Sequence, residues 1–413
     1  MSPSPIRILY VHHNADTYGA SRSLLRLLGR LRRDRFQPLV LLAEQGPLKE
    51  KLEALGVEVQ VDRVSVITRP VFRSWRIVPF LLAFPISVFR IWRTIRQKRI
   101  AIVHTNTGVI LSAGLAAKLA GVPHVWHIRD WFQEFRALWR PFSKYILWAS
   151  HRVLAVSHAV AGQFPSSPKV EVIHNGFSLD EFAVPRDELR RAFRAKFQLG
   201  DEFVVGCVGR IKWVRKGQEV LVRAAALLAK RGINAKYLIV GAPFPGNESH
   251  LTQLQTLIRE VKLESQVVLT GELEDPRPAY AAMEVFVLPS AQPEPFGGVV
   301  MEAMAMGLPV IATRIGGSID QVADGVTGFL IPPSDPEALA ARIERLCRDH
   351  ALRSRMAQAG PERIAKNFSL DEMARRIEVT YEQVLESSSH RDRKFGGGAD
   401  SSSTSEIGPP NNQ

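Results

Sequence analysis

The chain has 413 residues, too many for one ordinary hydrophobic core, so two domains are the natural expectation. Hydrophobic residues make up 46% and charged residues 23%, a globular composition that supports a sizeable core. The formal net charge of +13 favours anionic partners, and with only Cys207 and Cys347 present we expect no disulfide framework and a reducing compartment.

In chain order, the predicted elements open on IRILYV (6–11), and no secretory signal peptide is expected because MSPSPIRILYVHH runs directly into this strand. A loop, HHNADTYGA, then leads to the helical pattern SRSLLRLLGRL. PLVLLA, GPLKEKLEALG and VEVQV repeat the alternation. From Arg63 to Arg129 there is no acidic residue, and FRSWRIVPFLLAFPISVFRIWRTIRQKRI lies within this span. Its longest uncharged run, Ile77–Phe89, has 13 residues. A spanning helix needs about 20, so no transmembrane segment is expected. Trp75, Trp92, Phe72, Phe80, Phe84 and Phe89 among arginines suit an anionic lipid interface. An ordinary core helix with a solvated basic side is the alternative.

IAIVHTN, GVILSAGLAAKLAG and PHVWHI continue the series, followed by HRVLAVS and KVEVIHNG. The charged, strandless stretch 177–202 reads as a linker region. A second series then runs FVVGCVG, AKYLIVGA, QVVLTG, VFVLPS, PVIAT and GFLIPP, each separated by a helical stretch. Such alternation implies two doubly wound parallel sheets, with ligands bound at the strand ends. The Ser-, Gly- and Pro-rich tail from 387 is expected to be disordered. There is no G-x-G-x-x-G after the first strand, no G-x-x-x-x-G-K-[ST] loop, no D-x-D pair and no His/Cys cluster. These absences argue against a dinucleotide-dependent dehydrogenase, a P-loop enzyme and a metal-dependent reaction.

The most informative stretch is EPFGGVVMEAMAMGLPV, which places Glu294 and Glu302 eight positions apart around Gly297 and Gly298. Pro295 and the glycine pair favour a loop carrying Glu294, then a helix carrying Glu302 and stopped by Gly307-Leu308-Pro309. An unrelated acidic loop beside a surface helix is the plainer alternative.

With VGRIKWVRKG (208–217), YGASRSLLRLL, HTNTG, HIRD, AVSHAV and VIHNG in this order, the chain resembles a retaining glycosyltransferase of the GT-B fold, in the large family four class. The resemblance covers about residues 5–385. It implies a GT-B α/β architecture: an acceptor-side Rossmann-like domain at 1–185, a nucleotide-sugar-binding one at 186–369, and a crossover helix at 370–386. It also implies a nucleotide-sugar donor, a glycan or lipid-linked acceptor, retention at the anomeric carbon, and no metal or other cofactor. Polysaccharide or glycolipid synthesis in the cytoplasm, peripheral on the inner face of the membrane, follows from the same resemblance with the basic apolar segment. Nucleic acid is not expected as a partner.

Site residues carry over position by position. Glu302 would accept the ribose diol, and Glu294 would contact the sugar. Phe296, Gly297 and Gly298 would offer main-chain N–H groups to phosphate or sugar oxygens. Arg210 and Lys216 would clamp the diphosphate, unless they are simply a solvated basic loop. His127, at the end of PHVWHI, would face the cleft and act at the transferred sugar; a backbone-satisfied core histidine is the alternative. Asp130 would orient His127 or meet the acceptor. The family commonly has two adjacent glycines in its first loop; here Tyr18 precedes Gly19, so Gly19 alone would approach a phosphate, in a space that Tyr18 narrows. The rivals are a GT-B epimerase or phosphorylase, and a basic non-catalytic protein binding membrane or nucleic acid.

Overall fold

A computed structural model describes residues 4–67, 77–132 and 136–396. β1 (Ile6–His12), β2 (Phe36–Leu42), β3 (Glu58–Val61), β4 (Ile102–Thr105), β5 (His124–Ile128), β6 (Arg152–Ala155) and β7 (Val170–Val172) form one sheet in the order β3-β2-β1-β4-β5-β6-β7. β8 (Phe203–Val208), β9 (Ala235–Val240), β10 (Val267–Gly271), β11 (Val285–Leu288), β12 (Val310–Thr313) and β13 (Gly328–Ile331) form the second, ordered β10-β9-β8-β11-β12-β13. All ladders are parallel. The strand order reverses at β1/β4 and at β8/β11, and at such switch points crossover helices leave on opposite faces and open a crevice. The loops after β1 and β8 therefore start at the two places best suited to bind a ligand.

Helices cover the sheets because their apolar residues recur at helical spacing. In Gly19–Arg30, Leu24, Leu27 and Leu28 turn inward onto the first sheet. The last helix, Leu370–Gly396, returns from the second domain and lays Met373, Ala374, Ile377, Tyr381 and Val384 into that same core. Tyr381 bonds Tyr10 at 2.8 Å and His104 at 2.7 Å, and Arg32 holds Glu378 at 2.6 Å. Where the chain passes between domains, Phe177 pairs with Ser369 in a parallel bridge: Phe177 N donates to Phe368 O (2.8 Å) and Leu370 N to Phe177 O (3.2 Å).

Three sequence expectations change. The last helix runs ten residues past the expected end at 386, so 387–396 is helical and only 397–413 falls outside the described residues. The region read as linker contains the helix Arg186–Lys196, whose buried Arg194 donates to Ala282 O (2.9 Å) and Glu284 (3.0 Å); it belongs with the second domain. The basic apolar segment forms a 21-residue helix, Ile77–Gln97, longer than its uncharged run because Arg90, Arg93 and Arg96 are accommodated on it. Among the described residues it is the one helix whose length and composition suffice to cross a membrane, so the exclusion from run length does not hold. Its second half packs Ser87, Val88, Ile91 and Ile95 against the domain, while Val78, Leu81, Leu82, Ile86 and Phe89 stand exposed. Phe72 and Trp75 lie outside the described residues.

Candidate active site

A cleft of about 1140 Å³ separates the C-terminal strand ends of the two sheets. Its second-domain wall is built by the loops after β8, β9 and β10 and by the loop 294–297, which leads into the helix Gly298–Ala305. This loop is fixed by a glycine pair that sequence reasoning passed over. A Cβ on Gly316 would lie 2.3 Å from Glu294 O and one on Gly317 2.3 Å from Pro295 O, so only glycines let the 316–317 turn press against it. Gly317 N then donates to Glu294 O at 2.8 Å.

Glu302 lies in the second turn of its helix, 4% exposed, and lines the cleft. It accepts from Tyr280 Oη at 2.9 Å and from Arg22 Nη1 at 3.2 Å, the latter reaching across from the first domain. Glu294 accepts from Lys216 Nζ at 2.6 Å and from the Ser290 hydroxyl. Burial opposes its ionisation, but Lys216, Ser290 and Arg215 outweigh that and hold its carboxyl below the usual range. The expected phosphate cation and the expected sugar ligand are thus paired with each other. Arg210, from the loop after β8, sets its guanidinium 3.9 Å from the Tyr18 ring centroid and 5.1 Å from that of Phe244. Tyr18 also bonds Glu272, closing one end of the cleft between the domains. The N–H groups are not equivalent: Gly297 N already donates to Gln321 Oε1 (3.2 Å), whereas the Gly298 Cα faces open space. The Phe296 ring lines the cleft and packs against His174 and Phe368.

In the first domain Gly19 opens its helix beside the cleft with nothing within 4 Å of where a Cβ would stand. The side chain that reaches the cleft from β5 is Arg129, not His127. Residues 127 and 129 share a sheet face, and 129 lies one step beyond the strand end, so it covers the ring behind it. His127 is fully buried. Burial, Arg129 and His104 hold its pKa well below the ordinary imidazole value. Its Nδ1 lies 3.2 Å from Arg129 Nη2; because a guanidinium only donates, Nδ1 accepts and the ring proton resides on Nε2. Arg129 also donates to Asn106 Oδ1 (2.9 Å) and Asn175 Oδ1. Burial lowers its pKa to about 9, partly offset by Asp130, so it is charged at neutral pH. Asp130 does not touch His127. It accepts from Gly108 N (2.7 Å) and Thr107 Oγ1 (3.2 Å), fixing the HTNTG loop.

Arg22, Arg129 and Tyr280 escaped sequence reading. Arg22 sits within a helix that reads as amphipathic, and Tyr280 within a short apolar helix; neither has a local signal. Arg129, two residues past His127 in HIRD, was the one within reach, through strand parity.

Two facing parallel sheets with a cleft between their strand ends and a returning C-terminal helix define the GT-B class. The profile for Glycosyl transferases group 1 matches residues 190–363, and that for Glycosyltransferase Family 4 matches residues 17–181. The capsular polysaccharide biosynthesis glycosyltransferase CapM of Staphylococcus aureus is 33% identical over 214 residues, 52% of this chain and 54% of that protein. The D-inositol 3-phosphate glycosyltransferase of Salinispora arenicola is 35% identical over 213 residues, 49% of this chain and 47% of that protein. The chain thus matches about half the length of these curated relatives. HepE from Anabaena, solved in complex with UDP, superposes with a TM-score of 0.80 at 25% identity, covering 92% of this chain and 100% of that one. The chain belongs to the group 1 glycosyltransferases.

Proposed function

We propose that the chain transfers a sugar, with retention of anomeric configuration, from a nucleoside diphosphate sugar to a glycan or lipid-linked acceptor in polysaccharide or glycolipid assembly. One observation carries this reading: the cleft sets Glu302 and Glu294 on one wall together with Arg210, Lys216 and the open backbone at Gly298. A ribose diol suits Glu302, which already holds two donors, Arg22 and Tyr280, and exchanges Arg22 for ribose hydroxyls when the donor enters. Arg210 and Lys216 meet the diphosphate, and Glu294, released from Lys216, meets sugar hydroxyls. The UDP bound by the 25% identical Anabaena protein supports a nucleotide ligand.

In the reaction, the acceptor oxygen bonds to the anomeric carbon on the face the phosphate leaves. The bond from that carbon to the phosphate oxygen breaks, and the acceptor proton passes to the departing phosphate. The two cations stabilise the charge that grows there, so the chemistry needs no metal or other cofactor. His127 acts by holding Arg129 at the sugar end of the cleft, as a positioning residue.

The acceptor side faces an anionic membrane through the helix Ile77–Gln97. Only 17% of its most apolar window is buried, and Arg90, Arg93, Arg96, Lys98 and Arg99 lie on it or directly follow it. The resulting location is the inner face of the cytoplasmic membrane.

A panel of nucleotide sugars assayed by thermal stabilisation tests the donor, since a ligand of the folded state alone raises its apparent stability. Stabilisation by one nucleoside diphosphate sugar, followed by NMR of a product with the donor's anomeric configuration, is expected. Inversion, or turnover of the donor without acceptor, contradicts the reading; the second outcome marks an epimerase.

A further inference from the structure

Behind the donor loop, on the opposite side of Phe296 from the cleft, three metal-ligating side chains converge across the domain boundary. His158 and His174 belong to the first domain, and Asp320, on the turn of helix Ser318–Gln321, to the second. Asp320 Oδ2 lies 3.3 Å from His158 Nδ1 and 3.1 Å from His174 Nε2, and the three ligand atoms fall within 4.8 Å of one another. None of the three lines the donor cleft.

The geometry points to a binding site for a divalent ion of the zinc class that joins the two domains. Zinc binds imidazole nitrogen and carboxylate oxygen at about 2.0–2.2 Å, so neighbouring ligand atoms of a tetrahedral site stand about 3.3 Å apart. Two of the three edges already have that length. The third, between the imidazoles, closes by rotation of His158, whose side chain is 73% exposed and has the His174 ring beside it, centroids 5.7 Å apart. That exposed side leaves the fourth position to water. The donor set also selects the ion. One carboxylate and two imidazoles give magnesium or calcium too few oxygens, and no thiolate is present to favour copper(I).

The site is held ready rather than assembled by chance. Arg363 donates to the backbone carbonyls of Asp320 and Gln321, each at 2.7 Å, and so fixes the turn that presents the carboxylate. His158 N donates to Asp320 Oδ2 at 2.7 Å. The His174 ring is walled by Phe296 and Phe368, with centroids at 5.8 Å and 5.3 Å. Next in sequence, Gln321 clasps Gly297 through both the oxygen and the nitrogen of its side-chain amide (Gly297 N to Oε1, 3.2 Å; Nε2 to Gly297 O, 2.8 Å). An ion bound at Asp320 therefore ties the first domain to the base of the donor loop. It acts on domain arrangement and takes no part in sugar transfer.

The test uses the full chain without a histidine tag, stripped with EDTA and desalted. Titration calorimetry with zinc chloride should give one ion per chain, and cobalt chloride should give the visible absorption band of a four-coordinate site. Zinc should also raise the melting temperature. His158→Ala, on an exposed side chain that leaves folding intact, and Asp320→Asn should each weaken zinc at least tenfold, while UDP-glucose binding to His158→Ala stays unchanged. Absence of heat and of the cobalt band in the parent chain overturns the proposal. Zinc binding that survives in His158→Ala, His174→Gln and Asp320→Asn alike overturns it as well.

Discussion

The two sheets share one topology but bury different chemistry. The first encloses His12, His104, His124 and His127, all fully buried or nearly so, together with Arg129. Among the described residues the second buries no histidine; its core is mainly aliphatic and aromatic, around Val205, Leu221, Tyr237, Val285 and Ile311. Its buried charges are Arg194, paired with Glu284 away from the cleft, and Glu302 on the cleft wall, where Arg210, Lys216 and Glu294 also stand. One domain thus keeps buried polar residues as a supporting layer beneath the strand ends, and the other sets Arg210, Lys216, Glu294 and Glu302 at the cleft itself. A polar layer is costly to bury, so it confers position at the expense of acid resistance.

The cleft wall of the second domain should give the largest effects. Arg210→Ala and Lys216→Ala should each lower turnover by about 10²–10³-fold, the scale of a lost donor to developing charge, with a smaller loss in binding of the free nucleoside. Equal losses for nucleoside and nucleotide sugar would move these cations off the diphosphate. On the first-domain side, Arg129→Ala should cost about 10²-fold in turnover and His127→Ala about tenfold, since His127 acts through its neighbour. The readout that separates positioning from mere packing is rescue by a side chain that can still accept from Arg129. His127→Asn should recover most of the turnover lost in His127→Ala. No recovery in a folded His127→Asn chain would make His127 a packing residue only.

The contrast also has a pH signature. The four histidines have folded pKa values below the ordinary 6.5, His124 at about 3, chiefly through burial. Between those values and 6.5 the unfolded chain binds more protons than the folded one, so stability falls as pH falls, by up to about 1.4 kcal/mol per pH unit for each histidine. Hydrogen exchange at pH 7 and pH 5 should show protection lost first in the first domain. Simultaneous loss in both domains would erase the distinction. The smallest effect concerns the exposed helix. Leu82→Gln should weaken binding to phosphatidylglycerol vesicles about fivefold, a partial loss of the transfer energy of one leucine. Unchanged binding would remove Ile77–Gln97 from the membrane surface.

How legible each domain was follows from the same contrast. The inner strands of both sheets announced themselves as short apolar runs, because parallel strands covered on two faces have little choice of residue, while the edge strands β3 (EVQV) and β7 (VEV) showed only alternation. The second-domain wall was equally plain, since Glu294, Gly297, Gly298 and Glu302 lie within nine positions of sequence. The first-domain contribution was not. Arg22 meets Glu302 across 280 positions, and no local pattern records that. His127 was identified by place in the series, but the last step along β5 decides which side chain faces the cleft, and that step fell to Arg129. The basic segment was read by its uncharged run, although helices carry arginines at their margins with the stems lying along apolar surface.

The central claim is that the donor is held on the second-domain wall through Glu302. Calorimetric titration of the nucleotide sugar that the thermal panel selects into the parent chain and into Glu302→Ala tests it most directly, with circular dichroism to verify that the variant is folded. Loss of a charged hydrogen-bond partner should weaken donor binding by about 2–4 kcal/mol. Unchanged affinity in a folded Glu302→Ala chain would contradict the placement of the donor.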